Sequence, residues 1–473
     1  MIKNLTVGPP ARLILTFTVP LLIGNLFQQL YSLTDAIVVG RLLGVNALAS
    51  VGATSSLVFL LIGFTWGSSA GLAIPVARAF GAGNMAQMRR AVVAGVYVSA
   101  GVVVFICLAG GLNAHRLLTL MNTPSELIGN STNFLLVTFF GSAATVAFNF
   151  LAAIIRALGD SRVPLVFLVI ACCLNAGLVV LYVGGLHLGV PGAALATVTA
   201  QLVSVVLCLI FIGVKMPVLH IPAREWRVQP AEVLEPAKMG IAMGFQSSII
   251  ALGTIIIQYA VNGLGASAVA AFTAASRVDQ VANAPLNSFG IALSTYTAQN
   301  RGAGQWRRIR VGVNRICLVS VAVALGLGSI NVFLGYDIVR VFVGPGEDAV
   351  VGMAHQYLIV QGCSYVLLGL LFNLRGSIQG LGRTVVPTMA GVMELVFRAI
   401  AGLILVAHFG FIGVCLASPL AWMGSLATLC IAWISMRRWL ISQERVRGRL
   451  RSSEGGADRC LGVVSAQAEL AGD

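Results

Sequence analysis

Residues 20–44 read PLLIGNLFQQLYSLTDAIVVGRLLG. The stretch is strongly apolar, yet it carries a carboxylate, Asp35, fifteen residues after a proline, Pro20. A charged side chain at the centre of a bilayer costs about 3 kcal/mol or more, so an intramembrane acid ordinarily faces a water-filled cavity and has a function. Pro20 lacks a backbone donor and bends a helix that contains it. The stretch predicts a first membrane helix that can bend and that holds a working acid.

The rest of the chain fits that reading. Of 473 residues, 58% are hydrophobic and only 10% are charged, more apolar surface than a soluble fold of this length can hide. Twelve apolar runs predict an all-α polytopic membrane protein: 13–40, 47–77, 91–113, 127–155, 163–183, 189–213, 237–262, 266–298, 312–335, 350–378, 385–408 and 411–436. The opening MIKNLTVGPPARLILTF has no small-residue cleavage site and an apolar stretch too long for a signal peptide, so it is read as the first span.

The net charge of +14 is a matter of topology, not of nucleic-acid binding. With both termini and the even-numbered loops in the cytoplasm, 25 of the 30 basic residues fall inside or at the inner edge. Arg41, Arg116 and Arg340 fall outside, and Arg277 and Arg398 lie in spans. This asymmetry orients the protein in an inner membrane. Residues 1–213 form an N-terminal six-helix lobe, 214–236 a cytoplasmic linker rich in Pro and charge, 237–436 a C-terminal six-helix lobe, and 437–473 a basic irregular tail.

The halves repeat. Leu43-Gly44 is echoed by Leu264-Gly265, Gly81-Ala82-Gly83-Asn84 by Gly302-Ala303-Gly304-Gln305, and Leu158-Gly159-Asp160 by Leu381-Gly382-Arg383, at offsets of 221, 221 and 223. An even number of spans per half makes these parallel repeats, the build of a secondary transporter that rocks about a central cavity.

No GxxxxGK[ST], HExxH or GxSxG occurs, which argues against ATP as energy source and against an enzyme. The nine cysteines make no CxxC, and the reading is of small buried hydrophobes with no metal and no cofactor. An ion gradient is left as the driving force.

Three acids lie within spans: Asp35, Asp279 and Glu394. Glu394 and Arg398 share a helical face, as a structural ion pair or as part of a C-lobe site. Arg277 and Asp279, two apart, point to different sides and need partners from elsewhere. Asp35 has no base at i±3 or i±4, so desolvation suits it to proton exchange. Gln246, Gln258 and Asn262 on the seventh run are candidates to line a C-lobe pocket.

The pattern Pro20…Tyr31…Asp35, the loop Gly81-Ala82-Gly83-Asn84, Arg156-Ala157-Leu158-Gly159-Asp160 and the run Thr297-Ala298-Gln299-Asn300-Arg301-Gly302-Ala303-Gly304 resemble the multidrug and toxic compound extrusion (MATE) family, over about residues 8–440. The likeness is closer to the DNA-damage-inducible-type branch than to the NorM-type branch. It implies two six-helix lobes in a V and export of small organic cations or amphipathic drugs by antiport with protons or sodium ions, with the bilayer as surroundings and a monomer as the working unit. It implies a helix bend at Pro20, cation coupling at Asp35, and an N-lobe pocket at the matching positions Tyr31, Asn149, Asn175 and Thr197. Where a second aspartate often stands, this chain has Val179, which favours a proton over sodium held by Asp35, Asn175 and Thr197. A lipid-linked oligosaccharide flippase, or a channel or scaffold, is the alternative.

Overall fold

The computed structural model describes the backbone of residues 4–121, 123–343 and 347–469; side chains 30–37, 45, 46, 48, 342 and 447–469 lie outside the described ones. Most of the described residues are helical, and none of them lies in a strand. The spans are α1 Pro10–Leu43, α2 Val45–Gly81, α3 Met85–Phe105, α4 in two parts (Ser125–Phe140 and Ser142–Ala157), α5 Arg162–Val179 and α6 Gly189–Lys215. After the linker come α7 Pro230–Asn262, α8 Ala266–Gly302, α9 Trp306–Phe333, α10 Asp348–Gly380, α11 Val385–Ile400 and α12 Phe411–Glu469. Ten are long and apolar enough to cross a membrane one by one, and the two parts of α4 make an eleventh. The twelfth, α8, is 37 residues long but polar. Where the sequence predicts one run over 127–155, α4 bends by 42° at Gly141. A Cβ there would press on the Val198 side chain and the Val137 carbonyl.

The internal repeat has a backbone cause. Gly44 and Gly265, Gly83 and Gly304, and Gly159 and Gly382 all adopt positive φ, between 64° and 94°. Only glycine takes that conformation without strain, so the same turn recurs in each half. A fourth pair, Gly189 and Gly410, does the same at φ 65° and 56°. The π-helical turn that prolongs α5, Val180–Gly185, recurs after α11 as Ala401–Leu405.

The halves meet along α2 and α7. On α2, Gly67 and Gly71 leave room for the backbone of α7 at Met243 and Met239; on α7, Gly240 and Gly244 receive Leu72 and Phe64. Small residues every fourth position allow this approach, as in membrane helix pairs generally. Gly81 abuts the backbone of Gln299, and Gly302 that of Arg78. Toward the other end of α2 the approach loosens: the Cβ position of Gly63 is 3.7 Å from Ser247, and that of Gly52 has nothing within 4 Å.

The tight end is also strapped. The Leu5 N–H donates to Gln299 Oε1 at 2.9 Å, and the Leu5 side chain is buried in the C-lobe core beside Tyr296 and Ile309. Arg78–Glu235 (2.7 Å), Arg89–Glu225 (2.6 Å) and Arg90–Glu232 (2.7 Å) tie the end of α2 and the start of α3 to the linker and the start of α7.

Candidate transport sites in the two lobes

In the N-lobe, Asn175 on α5 is 1% exposed and its Oδ1 accepts a long hydrogen bond (3.5 Å) from the Thr197 hydroxyl on α6. Asn149 is half-buried on α4. Thr145 on α4 donates to Gln201 on α6 at 2.5 Å, a polar bridge that sequence reasoning missed. Asp35 and Tyr31 belong to α1 by their backbone, but their side chains lie outside the described ones. Pro20 is buried within α1, which stays helical from Pro10 to Leu43. Val179 is fully buried in an apolar cluster with Val39, Val183 and Val190.

The C-lobe holds two buried polar networks. In the first, Glu394 on α11 pairs with Arg398 at 3.0 Å, as the i,i+4 spacing predicts, and with Arg375 on α10 at 2.9 Å. Arg375 also donates to the Ser425 hydroxyl at 3.2 Å, and Arg398 to the Thr254 hydroxyl at 3.1 Å and the Ile250 carbonyl at 3.3 Å. Sequence reasoning put Arg375 at the inner edge with the loop charges. Instead it is 7% exposed, turned into the bundle from the last turns of α10. Its partner is nineteen positions away on another helix, which no spacing rule reaches.

The second network centres on Asp279 of α8. Its Oδ1 accepts from the Tyr365 hydroxyl at 2.8 Å and its Oδ2 from Asn283 Nδ2 at 2.9 Å. Asn331 Nδ2 donates to the same Tyr365 oxygen at 2.7 Å. Asp279 thus finds one partner on α10, as its spacing from Arg277 requires, and a second at i+4 on its own helix. The expectation of a buried base fails for Arg277, which is exposed. Two residues turn an α-helix by about 200°, so burying Asp279 in the lobe turns Arg277 out of it. Gln246 is 3% exposed and accepts from Gln379 Nε2 at 2.9 Å, which makes it a bridge between α7 and α10. Gln258 donates to Asn262 on its own helix at 3.0 Å.

Among the described residues no three His, Cys, Asp or Glu side chains gather as a metal site would need. Twelve membrane helices in two repeated lobes, with ionisable groups held at membrane depth in hydrogen-bonded networks, define a secondary transporter. The chain belongs to the MatE family, whose model matches residues 20–181 and 242–404. It is 27% identical over 380 residues to the probable multidrug resistance protein YpnP of Bacillus subtilis, covering 80% of this chain and 84% of that one. It is 26% identical over 390 residues to the probable multidrug resistance protein YoeA of the same organism, covering 80% and 83%. A solved multidrug resistance MATE family transporter of the MOP superfamily, in an outward-facing conformation, superposes with a TM-score of 0.83 at 20% identity, over 94% of this chain and 98% of that one.

Proposed function

We propose that this protein is a secondary-active multidrug efflux antiporter of the inner membrane, exporting organic cations or amphipathic compounds in exchange for protons. The family match carries the transport reading. Multidrug resistance proteins among its relatives support the substrate class. With both termini cytoplasmic, as the basic-residue asymmetry indicates, the strapped end of the lobes is the cytoplasmic end. The cleft then widens toward the outside.

Asp35 is the coupling residue in this reading. Val39, four residues after Asp35, shares a buried cluster with Val179, four residues after Asn175. Helices α1 and α5 pack together, with Gly24 against Leu165 and Leu168, a register that supports pairing the turn of α1 that bears Asp35 with Asn175. Deprotonated, Asp35 draws a cation into the N-lobe. Protonated, it loses that charge, and α1 bends at Pro20 and releases the substrate outward. The burial of Val179 among aliphatic side chains supports a site with one carboxylate, hence proton coupling rather than sodium held by Asp35, Asn175 and Thr197.

The test is ethidium efflux from proteoliposomes with pH and sodium gradients imposed separately. A pH gradient alone should drive efflux, and Asp35→Asn should abolish it while the purified variant stays monodisperse. Full transport by Asp35→Asn, or efflux driven by sodium alone, would overturn the role given to Asp35 and to the proton.

A further inference from the structure

The charges carried within the C-lobe spans do not end in balance. Asp279 and Glu394 offset Arg375 and Arg398, all four of them buried. Arg277 is the surplus cation, eleven residues into α8, and no carboxylate among the described residues pairs with it. Its direction follows from the helix. Eleven residues on, Ser288 accepts a hydrogen bond from Asn25 of α1 at 3.0 Å, and Gln299 donates to the Ala157 carbonyl of α4 at 2.8 Å. Ser288 and Gln299 lie within about 40° of Arg277 around the axis, so this is the face of α8 turned toward the N-lobe. Arg277 sits about 16 Å from Ser288 along that face, at the end where α2 and α7 part. Thr273 and Gln280 beside it are also exposed. A guanidinium at this depth is tolerated in a water-filled cavity and not against lipid, and an unpaired one is a ready partner for a planar anion.

We propose that Arg277 is a specificity-determining residue that binds the anionic group, a carboxylate or its like, of amphipathic substrates in the cleft between the lobes. The proposal rests on the export reading above in taking that cleft as the substrate path. It extends the substrate range from cations to molecules carrying a negative charge.

The experiment uses purified full-length protein in detergent and measures Kd by fluorescence anisotropy for two probes, the anionic carboxyfluorescein and the cationic ethidium. Arg277→Gln should weaken carboxyfluorescein by about tenfold or more, the loss expected for one charge-assisted contact, with ethidium held within about twofold. Arg277→Lys keeps the charge but not the planar fork and should restore part of the carboxyfluorescein affinity. The proposal is overturned if the wild type shows no saturable carboxyfluorescein binding, if Arg277→Gln binds it as the wild type does, or if both variants lose both probes equally. Failure of the wild type to bind ethidium counts against cation export, whereas carboxyfluorescein alone decides the role of Arg277.

Discussion

Glu394 accepts from two guanidiniums while about 5% of its side chain is exposed. Two buried cations sharing one anion leave little tolerance for its loss. Removing one member of a buried ion pair costs about 3–5 kcal/mol, because the partner's charge is left uncompensated. Glu394→Ala should therefore lower the melting temperature of the purified protein steeply. The double variant Glu394→Leu with Arg398→Met should recover part of that loss, since it removes charge from both sides. Asp279 differs, because its partners are neutral donors. Tyr365→Phe removes one hydrogen bond to a charged group, worth about 1.5–3 kcal/mol, and a thermal shift smaller than that of Glu394→Ala is expected. At this scale the sequence showed what a single helix can show. The Glu394–Arg398 pair is a matter of i,i+4 spacing, whereas Arg375 and Tyr365 reach their acids across helices, and Asn331 reaches Tyr365 the same way.

The element that decides how the lobes meet is α2. Its Gly67 and Gly71 lie against α7 with no space for a Cβ beside the Met243 and Met239 backbone. Gly71→Val should force the helices apart at the strapped end, at an overpacking cost of about 1–3 kcal/mol. Spin labels at Asn84 and Gln305, in a background without native cysteines, would report a longer distance in this variant by electron double resonance. An unchanged distance would mean that α2 and α7 do not set the closure. The repeat itself was legible because its turns need glycine at fixed places. The bend in α4 was not, since Gly141 lies inside one continuous apolar run and its close approach to Val198 of α6 is a tertiary contact.

Across the whole molecule, the three arginine–glutamate pairs hold linker and lobes together at one face. The Arg89 guanidinium, by hydrogen bond and by charge, holds the Glu225 carboxyl below its usual range. A carboxylate so depressed contributes stability that is present above its unfolded pKa, about 4.3, and is lost as pH falls through the lower folded value. Hydrogen exchange of residues 216–229 should thus show protection at neutral pH that fades as the pH falls below the usual carboxylate range. Glu225→Gln should remove most of this pH dependence, and added salt should weaken the protection, as the pair is near the surface.

The sequence by itself determined that the chain spans a membrane, with twelve apolar runs and two parallel halves. Hydrocarbon imposes length and apolarity on each span separately, and glycine turns mark the repeat. It also picked out the spans that carry charge. Which charges are buried and which are exposed was decided only by the tertiary structure, because that depends on the rotation of each helix against its neighbours. Arg277 and Arg375 exchanged places for that reason: the one expected inside is exposed, and the one expected at the edge closes a buried triad.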